Sequence, residues 1–221
     1  MPIKTKPMHI HSLKGTWSNR KLLNLHGILN KWTDIATDVG RKWNKNGDVP
    51  WWYNERADLS HFAGAVWLAG GEALEEFSDE KRKIGKTTGR LHGSYNGRVD
   101  LYFETPNGSD YYLECKSLWS GATRPNKNTV ERVEAWLDWA CKDVKKFHPH
   151  RGRRLGMVFV KPYIKRSPGA DVKSLISDWL WLFHDFDCDA MAWSFPLSCK
   201  CGKSSEYFCP GVVVFIREFR R

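Results

Sequence analysis

No run of 18 apolar residues occurs in the 221-residue sequence, so no helix of the chain is expected to span a membrane. Internal repeats and long low-complexity tracts are also lacking, which excludes repeat arrays and leaves one domain, residues 1–221, as the expectation. The opening Met1-Pro2-Ile3-Lys4-Thr5-Lys6 has no apolar segment behind it. Neither secretion nor cleavage is signalled, and a cytoplasmic protein is expected. There the 6 Cys would be thiols or metal ligands and not a disulfide framework. The 8 His form no HxxxH or HNH-type pattern, although His92 and His148 adjoin basic stretches and could contact phosphate. Gly85-Lys86-Thr87 lacks the upstream glycine of a Walker loop, so ATP hydrolysis is not expected.

What the chain does have is positive charge and aromatic bulk. Hydrophobic residues make up 41% and charged residues 27%, a balance that belongs to a globular and not a disordered chain. Against 25 Asp and Glu stand 35 Lys and Arg, a net +10, which favours a polyanionic partner, nucleic acid first of all. The 12 Trp, 11 Phe and 7 Tyr supply core volume, and any that are exposed could stack on bases.

Apolar periodicity orders the chain into alternating elements. Leu22, Leu25, Ile28, Leu29, Trp32, Ile35, Ala36 and Val39 recur at three- and four-residue steps and predict a helix from Asn19 to about Lys45. A second helix is predicted from about Glu55 to Ala69, stopped by Gly70-Gly71. Extended segments are predicted over Glu72 to Ser78, Gly97 to Thr105 and Tyr111 to Leu118, the last two forming a hairpin across the turn Pro106-Asn107-Gly108-Ser109-Asp110. A helix capped by Asn128 or Thr129 carries Val130, Val133, Trp136, Leu137, Ala140, Val144 and Phe147. Then follow a strand over Leu155 to Pro162, a helix around Asp171 to Phe186, a strand around Ala190 to Phe195, a Cys-containing loop and a strand from Gly211 to Phe219.

The segments richest in chemistry are Arg98-Val99-Asp100-Leu101 and Glu114-Cys115-Lys116. Alternation along a strand puts Glu114 and Lys116 on one face, with Leu113 and Cys115 opposite. In the partner strand Val99, Leu101 and Phe103 take the apolar face and leave Asp100 on the other. A paired hairpin would then gather an Asp, a Glu and a Lys on one surface. Clustered carboxylates repel unless a cation neutralises them, and oxygen donors suit Mg²⁺ or Mn²⁺. The same acids could instead be ordinary charges on a solvated strand.

This pattern resembles the PD-(D/E)xK nuclease superfamily, which includes restriction endonucleases and Holliday-junction resolvases. The resemblance spans about Glu55 to Pro162 and implies an α/β fold, a restriction-endonuclease-like mixed β-sheet flanked by helices with a core of helix, three strands, helix, strand. Residues 1–50 would be a helical addition and 163–221 a C-terminal addition of helix and two strands. Asp100 stands at the family's metal-binding Asp, Glu114 at its second acid and Lys116 at its lysine, while Val99 replaces the proline. Glu55 matches the acid that many members add from the first core helix, with Glu75 or Glu76 as substitutes. The resemblance implies a divalent-metal-dependent nuclease, most simply a DNA endonuclease. The metal would be held by Asp100, Glu114, Glu55 and the Cys115 carbonyl, and Lys116 would orient or help deprotonate the attacking water. Absence of glutamine disfavours branches that use one after the ExK strand.

Two further clusters bear on partners. Lys81, Arg82, Lys83, Lys86, Arg90 and Arg98 form one basic stretch. Lys142, Lys145, Lys146, Arg151, Arg153, Arg154, Lys161, Lys165 and Arg166 form a second, opposed only by Asp143. Both could line a phosphate-binding groove or be a solvated surface. Cys188, Cys199, Cys201 and Cys209 could hold structural Zn²⁺ or be free thiols. Cys115 and Cys141 read as core. The rival readings are a non-catalytic nucleic-acid-binding module of the same fold and a zinc-stabilised interaction domain. A one-site chain that cuts both strands would favour a homodimer.

Overall fold

The computed structural model describes residues 12–82, 94–147, 152–199 and 206–219. Its strands are β1 (Lys14–Ser18), β2 (Glu72–Arg82), β3 (Ser94–Glu104), β4 (Asp110–Gly121), β5 (Arg153–Lys165), β6 (Ala190–Ser194), β7 (Tyr207–Phe208) and β8 (Val212–Glu218). They form one open, mostly antiparallel sheet in the order β1-β6-β8-β5-β4-β3-β2, with β7 paired to β5. The exception is β4 against β5, which is parallel and runs from Tyr111↔Arg153 to Gly121↔Tyr163. Four helices flank the sheet among the described residues: α1 (His26–Asn44), α2 (Glu55–Leu68), α3 (Lys127–Val144) and α4 (Val172–Trp181). None of them is long and apolar enough to cross a membrane.

Two apolar layers sandwich the sheet. Leu29, Trp32, Phe62 and Val66 of α1 and α2 pack on Leu101, Phe103, Leu113 and Met157. On the opposite face Val133 and Leu137 of α3 and Ile176 and Trp179 of α4 pack on Leu118, Val158, Val160 and Phe215. The β5 row Arg154 to Pro162 is buried throughout, as a strand covered on both faces must be. Gly156 lets α3 lie close on β5, since a Cβ there would stand 2.5 Å from Cys141 Sγ.

Local chemistry explains the element ends. Asn54 caps α2 by accepting the Ala57 N–H at 3.1 Å, and Glu55 and Asp58 occupy the first turn, where the helix dipole favours carboxylates. Gly70, at φ 85°, ends α2 in the left-handed region. The cap of α3 is Asn126 and not Asn128 or Thr129. Thr129 instead accepts the Asn126 N–H at 3.2 Å, which completes a reciprocal capping box.

Other boundaries differ from the sequence expectation for visible reasons. The segment after Asn19 begins as a 3₁₀ turn, Arg20–Leu25, before α1 starts, because Leu22 has non-helical angles. The last helix stops at Trp181. Strands β1 and β7 are short edge elements with too few residues to show a period. Val99 does not share a face with Leu101 and Phe103 but packs with Val144 and Phe147 on the α3 side. The change of face lies beside Glu76 of the neighbouring strand, which takes φ 50° between the pairs Glu75↔Leu101 and Phe77↔Val99.

Candidate functional site

The site forms where β3 leaves β4. Their ladder runs only from Glu104↔Asp110 to Leu101↔Leu113, although β4 continues to Gly121. Beyond Leu113 the β4 edge facing β3 needs other partners for its backbone groups. Acidic side chains supply them. The Cys115 N–H donates to Asp100 Oδ2 at 2.7 Å, and the Ser117 N–H donates to the Glu55 carboxylate. The Cys115 carbonyl accepts from Lys116 Nζ at 2.9 Å.

Charges across this seam act on one another. Burial pushes the Glu55 carboxyl above the usual glutamate range, Lys116 opposes the rise and the Asp100 charge adds to it. Burial works against the Lys116 ammonium, but Glu55, Asp100 and Asp143 outweigh it and lift its pKa above the usual lysine range. Asp143 on α3 lies 3.2 Å from Lys116 Nζ and 2.7 Å from Lys146 Nζ. Lys116 also stands 5.4 Å from the centre of the Trp139 ring. Burial raises the Cys115 thiol far above the ordinary range, so Cys115 contributes its main chain to the seam and not a thiolate.

Behind Glu55 lies a buried ion pair. Lys161, with no exposed surface, places Nζ 2.6 Å from Asp58 Oδ2 and donates to the Tyr53 carbonyl at 2.6 Å. Ser117 Oγ donates to the same Asp58 oxygen at 3.2 Å. Burial pushes the Asp58 carboxyl up to about 7 against the pull of Lys161. This group joins the start of α2 to β4 and β5, and so holds Glu55 against the seam.

The structure therefore brings Glu55, Asp100, Lys116 and the Cys115 backbone together. Glu114 shares the Lys116 side of β4, opposite Gly156, and is 4% exposed. The single flat surface expected for Asp100, Glu114 and Lys116 forms only in part, since the Asp100 carboxylate turns to the Cys115 N–H. Among the described residues no three His, Cys, Asp or Glu side chains stand together as a ready metal cluster. The two alternative acids are engaged elsewhere: Glu75 accepts from Ser60 Oγ at 3.0 Å, and Glu76 pairs with Arg56 and Arg98.

Several expected nucleic-acid contacts are corrected. Arg154 is 8% exposed and donates to the Phe147 carbonyl at 2.8 Å. Arg153 grips Glu218 with two nitrogens, at 2.7 and 2.8 Å, and also donates to Tyr111 Oη at 2.9 Å. Lys161 is core. Arg154 and Lys161 are thus internal ties and not part of a phosphate groove, whereas Arg153 keeps about a third of its side chain exposed beside its bond to Glu218. Arg98 remains on the surface beside Glu76. Lys81 and Arg82 end β2, while Lys83, Lys86, Arg90, Arg151, His92 and His148 lie outside the described residues.

The cysteine cluster is not assembled among the described residues. Cys188 packs in the α3 and α4 layer, Cys199 and Cys209 in the α1 and α2 layer, so the sheet separates them. The Cys209 thiol donates to the Gly211 carbonyl at 3.2 Å, and burial pushes its pKa far up. Cys201 lies outside the described residues.

Asp143, Asp58 and the role of Lys161 were not singled out from sequence as parts of a site. On a helix stripe or in a basic run they look like ordinary charges, and only the fold places them beside Lys116 and Glu55. No known protein-family model, curated protein or solved structure matches the chain.

Proposed function

We propose that the chain is a divalent-metal-dependent phosphodiesterase acting on nucleic acid, most simply a DNA endonuclease. The observation that carries this reading is the seam itself, where Asp100 accepts the Cys115 N–H, Glu55 accepts the Ser117 N–H and the Lys116 charge acts on both acids. The order α2-β2-β3-β4-α3-β5, helix, three strands, helix, strand, is the order that the resemblance to PD-(D/E)xK nucleases implies and adds support for a restriction-endonuclease-like core.

The donors fit a hard cation. Asp100, Glu55 and the Cys115 carbonyl are all oxygen ligands, and Glu114, the further acid that the resemblance implies, is buried on the Lys116 face of β4. Mg²⁺ is commonly held by one or two carboxylates, with water and substrate phosphate completing its shell, so a ready three-acid cage is not required. A bound Mg²⁺ or Mn²⁺ would supply positive charge at the scissile phosphate and acidify a water ligand.

The chain's own groups do the rest. Lys116 is held charged by its acidic neighbours, so it serves as a donor that orients water and offsets charge on the phosphate oxygens, and not as a base. Asp143 and the Trp139 ring fix where that ammonium points. The Asp58–Lys161 pair ties the first turn of α2, where Glu55 stands, to β5. Purified protein incubated with Mg²⁺ or Mn²⁺ on duplex, branched, nicked and single-stranded substrates tests the proposal. Cleavage that is lost in chelator and in Lys116→Ala is expected; cleavage by Lys116→Ala equal to the parent refutes the site.

A further inference from the structure

Two residues past Ser117 on β4, and three residues before Glu55 at the entry to α2, the chain builds a second feature beside the seam. Trp52, Trp119, Tyr163 and Tyr207 line a cavity of about 570 Å³. All four rings are partly exposed, so they are neither closed core nor scattered surface residues. Trp52 meets Trp119 at 70° with centroids 4.8 Å apart, and Tyr163 meets Tyr207 at 89° with centroids 5.4 Å apart. In an edge-on pair the partner meets one ring face only and leaves the others clear of itself; a flat aromatic guest needs a face of that kind.

The cavity and the seam share their structural supports. Trp119, Ser117 and Cys115 alternate onto the same side of β4. Lys161 Nζ lies 5.5 Å from the Trp119 ring and 2.6 Å from Asp58, which in turn takes the Ser117 hydroxyl. Trp119 follows Lys116 by three residues, roughly 10 Å along β4, and lies on the opposite face of the strand, the side of Asp58 and Ser117. The cavity's volume is in the range of pockets that accept one flat ring system.

We infer that the cavity of Trp52, Trp119, Tyr163 and Tyr207 receives one unpaired nucleobase of the substrate strand, so that the site acts on single-stranded or locally unpaired nucleic acid. The substrate identity rests on the phosphodiesterase reading above; the occupant is argued from the cavity. A polyanion is drawn by a chain of net charge +10, and a base is the part of it with a π-face to stack. Stacking on aromatic walls tolerates any base, and tyrosine hydroxyls add hydrogen-bonding capacity for its edge. A base inside a duplex cannot reach such a cavity without leaving its stack, which makes unpaired strand the preferred form.

Binding, measured without metal, separates this inference from the catalytic one. Short fluorescent single-stranded DNAs are compared with strands that carry one abasic site moved along the sequence. An abasic site at one position is expected to weaken binding on the order of tenfold, and Trp119→Leu to abolish that difference. Trp119→Phe and Tyr207→Leu guard against misfolding: the first should retain most of the difference and the second should reduce it. Position-dependent loss that the leucine variants remove supports the subsite whether or not any strand is cut. Equal binding of abasic and intact strands at every position overturns it, even if cleavage proceeds.

Discussion

The main-chain N–H of Cys115 lies 2.7 Å from Asp100 Oδ2, which makes an acidic side chain the partner that β3 no longer provides at this point of β4. One carboxylate thus satisfies the backbone and takes part in the charge cluster. Replacing Asp100 with Asn keeps an oxygen able to accept that N–H while removing the charge. Asp100→Asn is expected to fold, with an unfolding midpoint near the parent, and to lose metal-dependent cleavage by about hundredfold or more. Single-turnover cleavage and urea unfolding on the same preparation check both halves.

Asp143 acts through Lys116. Its charge helps hold the ammonium protonated, so Asp143→Asn should lower the Lys116 pKa. Cleavage that needs the charged lysine would then fail at a lower pH than in the parent, and the alkaline limb of the rate profile should move down. An unmoved limb would show that Lys116 is not the group titrating there.

Glu55 binds a cation only when ionised, and burial raises its carboxyl above the usual glutamate range. Mn²⁺ affinity should therefore fall as pH falls through that raised value, and binding at mildly acidic pH should release protons. Calorimetry in two buffers of different ionisation enthalpy measures the release. Glu55→Gln should remove most of it.

The Asp58–Lys161 pair is wholly inside the protein. Lys161→Met alone leaves a buried carboxyl without its partner and should cost about 3–5 kcal/mol of stability. The double change Asp58→Leu with Lys161→Met should cost clearly less in urea unfolding than the single one, because two apolar groups leave no orphaned charge. Cleavage in the double variant should still fall, since the start of α2 then loses its polar tie to β5 and Glu55 is left with the Ser117 N–H alone.

The parts of this fold that were readable in sequence are those with long, regular periods. Helix α2 is expected over Glu55 to Ala69 and observed over Glu55–Leu68, and the β3–β4 hairpin closes at the expected turn, where Gly108 has φ 77°. Asp100, Lys116 and Glu55 were legible because charged residues stand out in apolar segments. The rest depends on distances across the chain. The turn of Val99 to the α3 face departs from the alternation that its own strand suggests. Lys161 looks like one more cation in a basic run until β5 carries it beneath α2 to Asp58. The spacing of Cys188 and Cys199 does not reveal that a sheet divides them.

The most direct measurement is the position of Mn²⁺ in crystals of the protein, located by its anomalous scattering with an unpaired DNA strand present. The ion is expected in the seam, coordinated by Asp100 and Glu55 oxygens with Lys116 Nζ beside the bound phosphate. Manganese that binds only elsewhere, or a seam in which Lys116 keeps its present partners and no ion enters, would contradict a single site made from these residues.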